Sequence, residues 1–411
     1  MSKAEEVKLD IKVMINKEKS KVLFAEAGSD FTDVLLSVLL LPLGMIVKLL
    51  KNHYGDRAPI IGSLNTLYNG VENLDHVYFH TDAAKNMLLN PTCHYVNGWP
   101  KVGKTCNGAN FTESAASFII SDDLRVIPNV SGSVIKTLSN LSIAMADMDG
   151  AEAWNVPFGL DEIMALLKES LISRNPLTAL VLRMNSSAGK HEHCLGSVFS
   201  HRINMKLASM NPKKMILKVM IQKSTNNFLF VEADNDFINF LFGMLTLPLG
   251  RVEWYFGSYT GLRGMDNLHA SIQDNLNNKH FTSIVTKGLL LKPALSTNYS
   301  SCNDLIPLNF DPNINQNHVK GSRMYMVFND LTVEPLGVMS SVSVIRRMKI
   351  SLSDVKELEL QVGLGEGLSI VKAALTSTTA LTDGLKPTLK ALLASNRSVN
   401  QTSMKRLKQE W

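Results

Sequence analysis

Two stretches of the chain superimpose residue for residue: KVMINKEKSKVLFAEAGSDFTDVLLSVLLLPLG at residues 12–44 and KVMIQKSTNNFLFVEADNDFINFLFGMLTLPLG at 218–250. About half of the aligned positions are identical and no gap is needed, so the chain is an internal duplication. Whatever the first copy folds into, the second must fold into as well. Weaker echoes follow in the same order: GSLNTLYNGVENL (62–74) with GMDNLHASIQDNL (264–276), FIISDDLRVIP (118–128) with VFNDLTVEP (327–335), and GLDEIMALLKESL (159–171) with GLGEGLSIVKAAL (363–375).

Each copy opens with two β-rich runs around a three-residue polar break, Glu18-Lys19-Ser20 or Ser224-Thr225-Asn226, which predicts a hairpin. Symmetric closure sets Ile15 opposite Leu23, Val13 opposite Ala25, Lys12 opposite Glu26 and Lys218 opposite Glu232. An apolar helix is predicted next, with Asp30 and Asp236 as N-caps and Asp33 reaching back as in a capping box. Pro42 should end it, because proline lacks the amide donor and pushes Leu41 out of the helical region. The later matches read as an amphipathic helix, a strand–turn–strand and a closing helix. The expected fold is α+β: two tandem homologous domains, each a small sheet covered by helices. The first repeat domain spans 1–183 and the second 215–395, joined by a Ser-, Gly-, Lys- and Asn-rich linker at 184–214 and followed by a C-terminal tail at 396–411.

A hydrophobic fraction of 45% with 19% charged residues is that of a folded globular chain. The formal charge of +5 is mild for 411 residues, and the densest basic run, Lys405-Arg406-Leu407-Lys408, stands beside Glu410, so nucleic acid is not an expected partner. The apolar run Val34–Val47 has fourteen residues, short of the roughly 18 that cross a bilayer, and Arg251 and Glu253 interrupt its duplicate. A buried core helix is expected and membrane attachment is not. Four scattered cysteines, Cys93, Cys106, Cys194 and Cys302, together with a charged amino-terminal stretch, suggest an intracellular protein with reduced thiols.

The hairpin with LFAEAGSDF and LPLG, the run VKGSRMYMVFNDLTVEPLGVMSSVSVI (319–345) and LSDVKELELQVGLGEGLSIVKAALTSTTALTDGL (352–385) resemble the recurring segments of a plant family carrying the domain of unknown function numbered 674. The resemblance covers most of both halves, and the duplicated layout is typical of that family. It implies no activity, ligand or catalytic residue. Family members often carry closely spaced cysteines in the first half, whereas only Cys93 and Cys106 stand there in this chain.

Three constellations suggest chemistry. GWPKVGKT formally satisfies the P-loop pattern through Gly98, Gly103, Lys104 and Thr105, in which backbone amides would wrap phosphates and the lysine neutralise them. Its flanks, PTCHYVN and CNGANFT, are a poor strand and a poor helix start. His191, His193, Cys194 and His201 are close in sequence, and Cys93, His94 and Cys106 could join them, but the spacing fits no zinc framework. Glu26, Asp30, Glu232 and Asp236 would make paired carboxylates if the two copies met at a cleft. The hairpin register and helix caps already account for them. No metal, cofactor or catalytic residue is therefore expected. The leading reading is a non-enzymatic binding or adaptor protein, with a protein or small-molecule ligand in a groove between the copies. The alternatives are a P-loop-like phosphohydrolase using residues 98–105 and a peripheral membrane protein.

Overall fold

The structure is a computed structural model that describes residues 9–91, 110–129, 134–183, 214–294, 317–321 and 323–407. In the first half the elements run β1 (Leu9–Asn16), β2 (Lys21–Gly28), α1 (Ser29–Ser37), α2 (Leu43–Tyr54), α3 (Leu64–Asn73), α4 (Asp82–Leu89), β3 (Ser117–Ser121), β4 (Val126–Pro128), α5 (Val134–Asn140), β5 (Ala151–Phe158), α6 (Leu160–Ile172) and α7 (Pro176–Arg183). The second half repeats the plan with β6 (Met215–Gln222), β7 (Phe228–Ala233), α8 (Asn235–Met244), α9 (Leu249–Phe256), α10 (Arg263–Asp274), α11 (Ile284–Leu291), β8 (Tyr325–Val327), β9 (Val333–Pro335), α12 (Val338–Arg347), β10 (Val355–Val362), α13 (Leu364–Thr376) and α14 (Ala380–Leu407). Helix α14 carries through residues 396–407, which the sequence reads as tail.

Two five-stranded antiparallel sheets result, ordered β4-β3-β2-β1-β5 and β9-β8-β7-β6-β10, so the α+β class with a sheet in each half is what forms. Alternation in β1 sends Leu9, Ile11, Val13 and Ile15 inward and leaves Asp10 and Lys12 exposed. The backbone pairs Lys12 with Glu26, Val13 with Ala25 and Lys218 with Glu232, as expected. A β-bulge then shifts the register, so that Ile15 faces Val22 rather than Leu23, and Ile221 faces Phe228 in the second copy. Lys218 makes its ion pair with Glu357 of β10, at 3.3 Å.

The first helix stops where proline dictates. Residues 38–40 tighten into a 3-10 turn, Leu41 is extended (ψ 128°), and Pro42 caps α2. The capping expectation needs correcting. Strand β2 passes into α1 without a loop, so the cap position falls on Gly28 and Asp30 lies exposed in the first turn. In the second copy Asp234, not Asp236, caps α8, accepting from the amides of Asp236 (3.1 Å) and Phe237 (3.3 Å).

Asp33 has a long-range task instead. Its carboxylate is buried and accepts from the Phe111 amide (2.8 Å), the Thr112 amide (2.9 Å) and the Thr112 hydroxyl (2.8 Å). The aligned Asn239 does the same with one oxygen, accepting from the amides of His318 (2.8 Å) and Val319 (3.1 Å). Burial outweighs those hydrogen bonds and raises the Asp33 pKa from 3.8 to about 6. Because the folded value lies above the unfolded one, stability from this group is full below pH 4 and is lost as pH rises through about 6. Asp33→Asn, which installs the second copy's solution, is expected to remove that slope and to add on the order of 2 kcal/mol at pH 7.5. Urea unfolding of both proteins at pH 4.5 and 7.5 checks it; equal pH dependence in the two would refute it.

The compact units do not coincide with the two sequence repeats. Unit 1 comprises residues 1–59, 90–209 and 246–299, and unit 2 comprises 60–89, 210–245 and 300–411. Each sheet thus recruits its helical complement from the opposite copy. In unit 1, Leu43 and Leu249 donate their amides to Leu247 (2.9 Å) and Leu41 (3.0 Å), joining the two LPLG motifs. Ser271 of α10 accepts the edge amide of Val126 at 2.9 Å, which covers a strand edge otherwise open to pairing. Residues Thr112 and Phe281 form an antiparallel bridge.

Unit 2 makes the reciprocal set. Phe79 bridges Val319, and the Ser63 amide reaches the Ala374 carbonyl at 2.9 Å. Gly62 lies against Ala374 in α13 as its aligned partner Gly264 lies against Ser170 in α6 of unit 1. Lys85 and the aligned Lys287 each donate to main-chain carbonyls and sit over a phenylalanine, Phe79 and Phe281 respectively.

Candidate functional site

The residues that drew attention in the sequence divide into two groups. Gly98, Gly103, Lys104 and Thr105, and likewise Cys93, His94, Cys106, His191, His193, Cys194 and His201, lie outside the described residues. Of the four acids, Glu26 and Asp30 belong to unit 1 and Glu232 and Asp236 to unit 2, so neither compact unit brings the four together. Burial, the nearby Glu357 and, in opposition, Lys218 act on Glu232, with the net effect of raising its pKa. Among the described residues no group of three or more His, Cys, Asp or Glu side chains is placed to hold a metal ion. None of the described helices is long and apolar enough to cross a membrane.

A cleft of about 420 Å³ opens on unit 2. Its walls come from three places in that unit: Phe228 and Leu229 at the start of β7, the β8–β9 turn with Phe328, Asn329, Asp330 and Thr332 followed by Glu334 of β9, and the end of α12 with Arg347 and Met348; Thr378 completes the lining. The turn is tight because Leu331 adopts a positive φ of 65°, closing Leu331 N–H onto Phe328 at 3.0 Å and Phe328 N–H onto Thr332 at 2.9 Å. Two side chains pin it further. Asp330 accepts from the Thr332 amide (3.1 Å), and Asn329 accepts from the Thr382 amide (2.9 Å).

Behind this wall Met220, Leu229, Phe230, Met326, Val344 and Ile345 form a closed apolar cluster under α12, and Phe328 leans on it with its ring 6.4 Å from that of Phe230. The cleft is therefore an open recess, with two phenylalanines in its lining, that rests on this buried cluster. Asp330 and Glu334 supply negative charge and Arg347, exposed in the last turn of α12, supplies positive charge. A volume in the range of small-ligand sites, apolar walls and a few convergent polar groups are the attributes of a binding site.

The matching place in unit 1 is built otherwise. Repeat alignment puts Val22 at Phe228, Ser121 at Phe328 and Ile127 at Glu334. Ile127 is buried there with Ile119 and Leu141, packed on by Phe24 and Ile143, and Ser121 spends its hydroxyl on Asp123 at 2.6 Å. The recess thus depends on residues that the second copy does not share with the first. Sequence reasoning missed them because Phe228 and Phe328 read as ordinary core positions in alternating strands. The available signal was Glu334, a charge in a strand whose aligned residue is isoleucine.

Comparison with known proteins gives one finding. The family described as "Protein of unknown function (DUF674)" matches residues 5–101, 99–317 and 309–410. No curated protein and no solved structure matches the chain.

Proposed function

Since the chain belongs to the DUF674 family, which carries no assigned activity, we propose from its own residues that it is a binding protein whose ligand seats in the cleft of unit 2. The supporting observation is a recess lined by the rings of Phe228 and Phe328 together with the carboxylates of Asp330 and Glu334 and the guanidinium of Arg347. Such a lining suits a ligand with a flat apolar body and an amine directed at the carboxylates. The body gains by leaving water, and the amine fixes its orientation. The scattered cysteines favour an intracellular setting for this role.

Arylalkylamines such as tryptamine and phenethylamine are the probes. Ligand-observed NMR and titration calorimetry are expected to give a Kd of roughly 0.1–1 mM, appropriate to so few atoms. Glu334→Ile, which introduces the residue that stands at the matching place of unit 1, is expected to abolish binding while leaving the fold intact. Failure of every probe to bind below about 10 mM, or equal binding by the variant, would sink the reading.

A further inference from the structure

Unit 1 holds a second arrangement that the cleft does not use. Helix α9 ends at Gly257 (φ 58°), and the next residue, Ser258, is also left-handed at φ 63°, a conformation that costs a non-glycine residue on the order of 1 kcal/mol. Ser258 is half-buried, between the exposed Gly257 and the 49% exposed Tyr259. Its Oγ lies 2.8 Å from Nδ1 of His269, and Nε2 of that imidazole lies 2.9 Å from the Leu291 carbonyl oxygen.

These two contacts fix the protons. A carbonyl only accepts, so Nε2 must carry the hydrogen. Burial holds the His269 pKa below its ordinary value, so the ring is neutral at pH 7 and Nδ1 presents a lone pair. The Ser258 hydroxyl therefore donates to the imidazole and keeps its own lone pairs directed elsewhere. We propose that Ser258 is a nucleophile activated by His269 as general base, with the Leu291 carbonyl orienting the imidazole, and that the pair acts on activated acyl esters.

The fold does not require this pair. Repeat alignment sets Leu67 at His269, and the helix-ending Gly55 and Gly257 set Asp56 at Ser258, so the first copy ends its helix at a glycine without either group, passing instead into a 3-10 turn over Gly55–Arg57. The surrounding turn is held independently. Thr260 accepts from the Leu262 amide at 3.2 Å and stands 3.0 Å from Glu253 and 2.8 Å from Asp266. Burial raises the pKa of Asp266 despite its hydrogen bonds.

The substrate class follows from what the turn lacks. The amides of Gly257 and Ser258 bond to the Trp254 and Glu253 carbonyls, and those of Thr260 and Gly261 to Asp266. With these donors engaged, none of the four is left to stabilise an oxyanion, a contribution that amide hydrolysis depends on heavily. A good leaving group must supply the driving force. In the step, Oγ of Ser258 attacks the carbonyl carbon of an aryl ester while its proton passes to His269 Nδ1. The bond to the aryloxide breaks, and the proton leaves with it as the phenol. Water then attacks the acyl-serine with the same base, releasing the carboxylic acid and the free hydroxyl.

The test is labelling of the full chain with a fluorophosphonate, read by peptide mass spectrometry, alongside hydrolysis of p-nitrophenyl acetate. One adduct per chain at Ser258 is expected, none in Ser258→Ala, and labelling at least ~100-fold slower in His269→Gln, the typical contribution of a general base. The wild-type protein alone can refute the proposal: Ser258 labelled no faster than the chain's exposed serines ends it, whatever the variants do. Labelling that persists unchanged in His269→Gln also ends it. The cleft of unit 2 shares no residue with this site, so failure here leaves the amine-binding reading standing.

Discussion

Expressed as two polypeptides, residues 1–200 and 201–411, the protein is expected to yield two fragments that do not fold separately and that recover the native fold when mixed in equal amounts. Contiguous repeats of this size would ordinarily each form an autonomous domain. Here the amino-terminal fragment lacks α9, α10 and α11, which belong to unit 1. Those helices and the turn before α11 carry Leu249, Val252, Tyr255, Phe256, Met265, Leu268, Ile272 and Phe281, all buried. At about 1.5–3 kcal/mol for each large apolar side chain, these eight contribute roughly 12–24 kcal/mol, and even half of that is as large as the 5–15 kcal/mol by which a typical domain is stable. The loss also uncovers the β4 edge at Val126 and the Leu41–Leu249 pairing. Circular dichroism and urea titration of each fragment and of the mixture check the expectation. A cooperative unfolding transition in the isolated 1–200 fragment would show that the exchanged segments are dispensable.

Gly62→Ala is expected to be the most damaging single methyl group at any of the described glycines. Gly62 has φ +49°, and a Cβ there would stand 2.4 Å from the Ala374 oxygen and 2.7 Å from the Leu375 carbonyl carbon. Both are helix backbone, which cannot swing aside as a side-chain end can. Left-handed strain of about 1–2 kcal/mol adds to the overlap, so a loss of roughly 3 kcal/mol or more is expected, enough to lower the Tm by about 5–10 °C. Gly28→Ala is the control, since its φ is −79° and nothing lies within 4 Å of the added carbon. Calorimetry of the two variants decides; equal melting temperatures would mean that Gly62 does not seat its segment on α13.

Much of the local plan was legible in the sequence. The duplication announced two copies of one sheet, and alternation in β1 with the polar break after Lys17 set the hairpin. Only the bulge at Met14/Ile15 escaped, because a one-residue slip leaves the inward set apolar on either side of it. Proline at 42 announced its own chemistry. Asp30 misled for a plain reason: capping rules locate a helix start only when a loop precedes it, and β2 leaves none.

The exchange itself was not legible. The faces Leu64, Leu67, Val71 and Met265, Leu268, Ile272 are equally apolar, and nothing in either pattern says which copy of the sheet it will cover. That choice belongs to the path of the connecting chain. The cleft and the Ser258–His269 pair were hidden for another reason. Both arise where the copies diverge, at Glu334 against Ile127 and at His269 against Leu67, while attention to a repeat favours what is shared.

The reciprocal exchange also sets a timetable for the nascent chain. Amino-terminal domains commonly fold on the ribosome as soon as their last residue emerges. The first sheet is complete in sequence at Phe158, yet its unit closes only when the helix ending at Leu291 has been made. The helices at 64–89 wait in turn for α13, which ends at Thr376. At about 5–20 residues per second, the roughly 130 residues between Phe158 and Leu291 take several seconds to synthesise. Through that interval the apolar surface of unit 1 has no native cover, so the nascent chain is expected to need protection from aggregation until the second copy emerges.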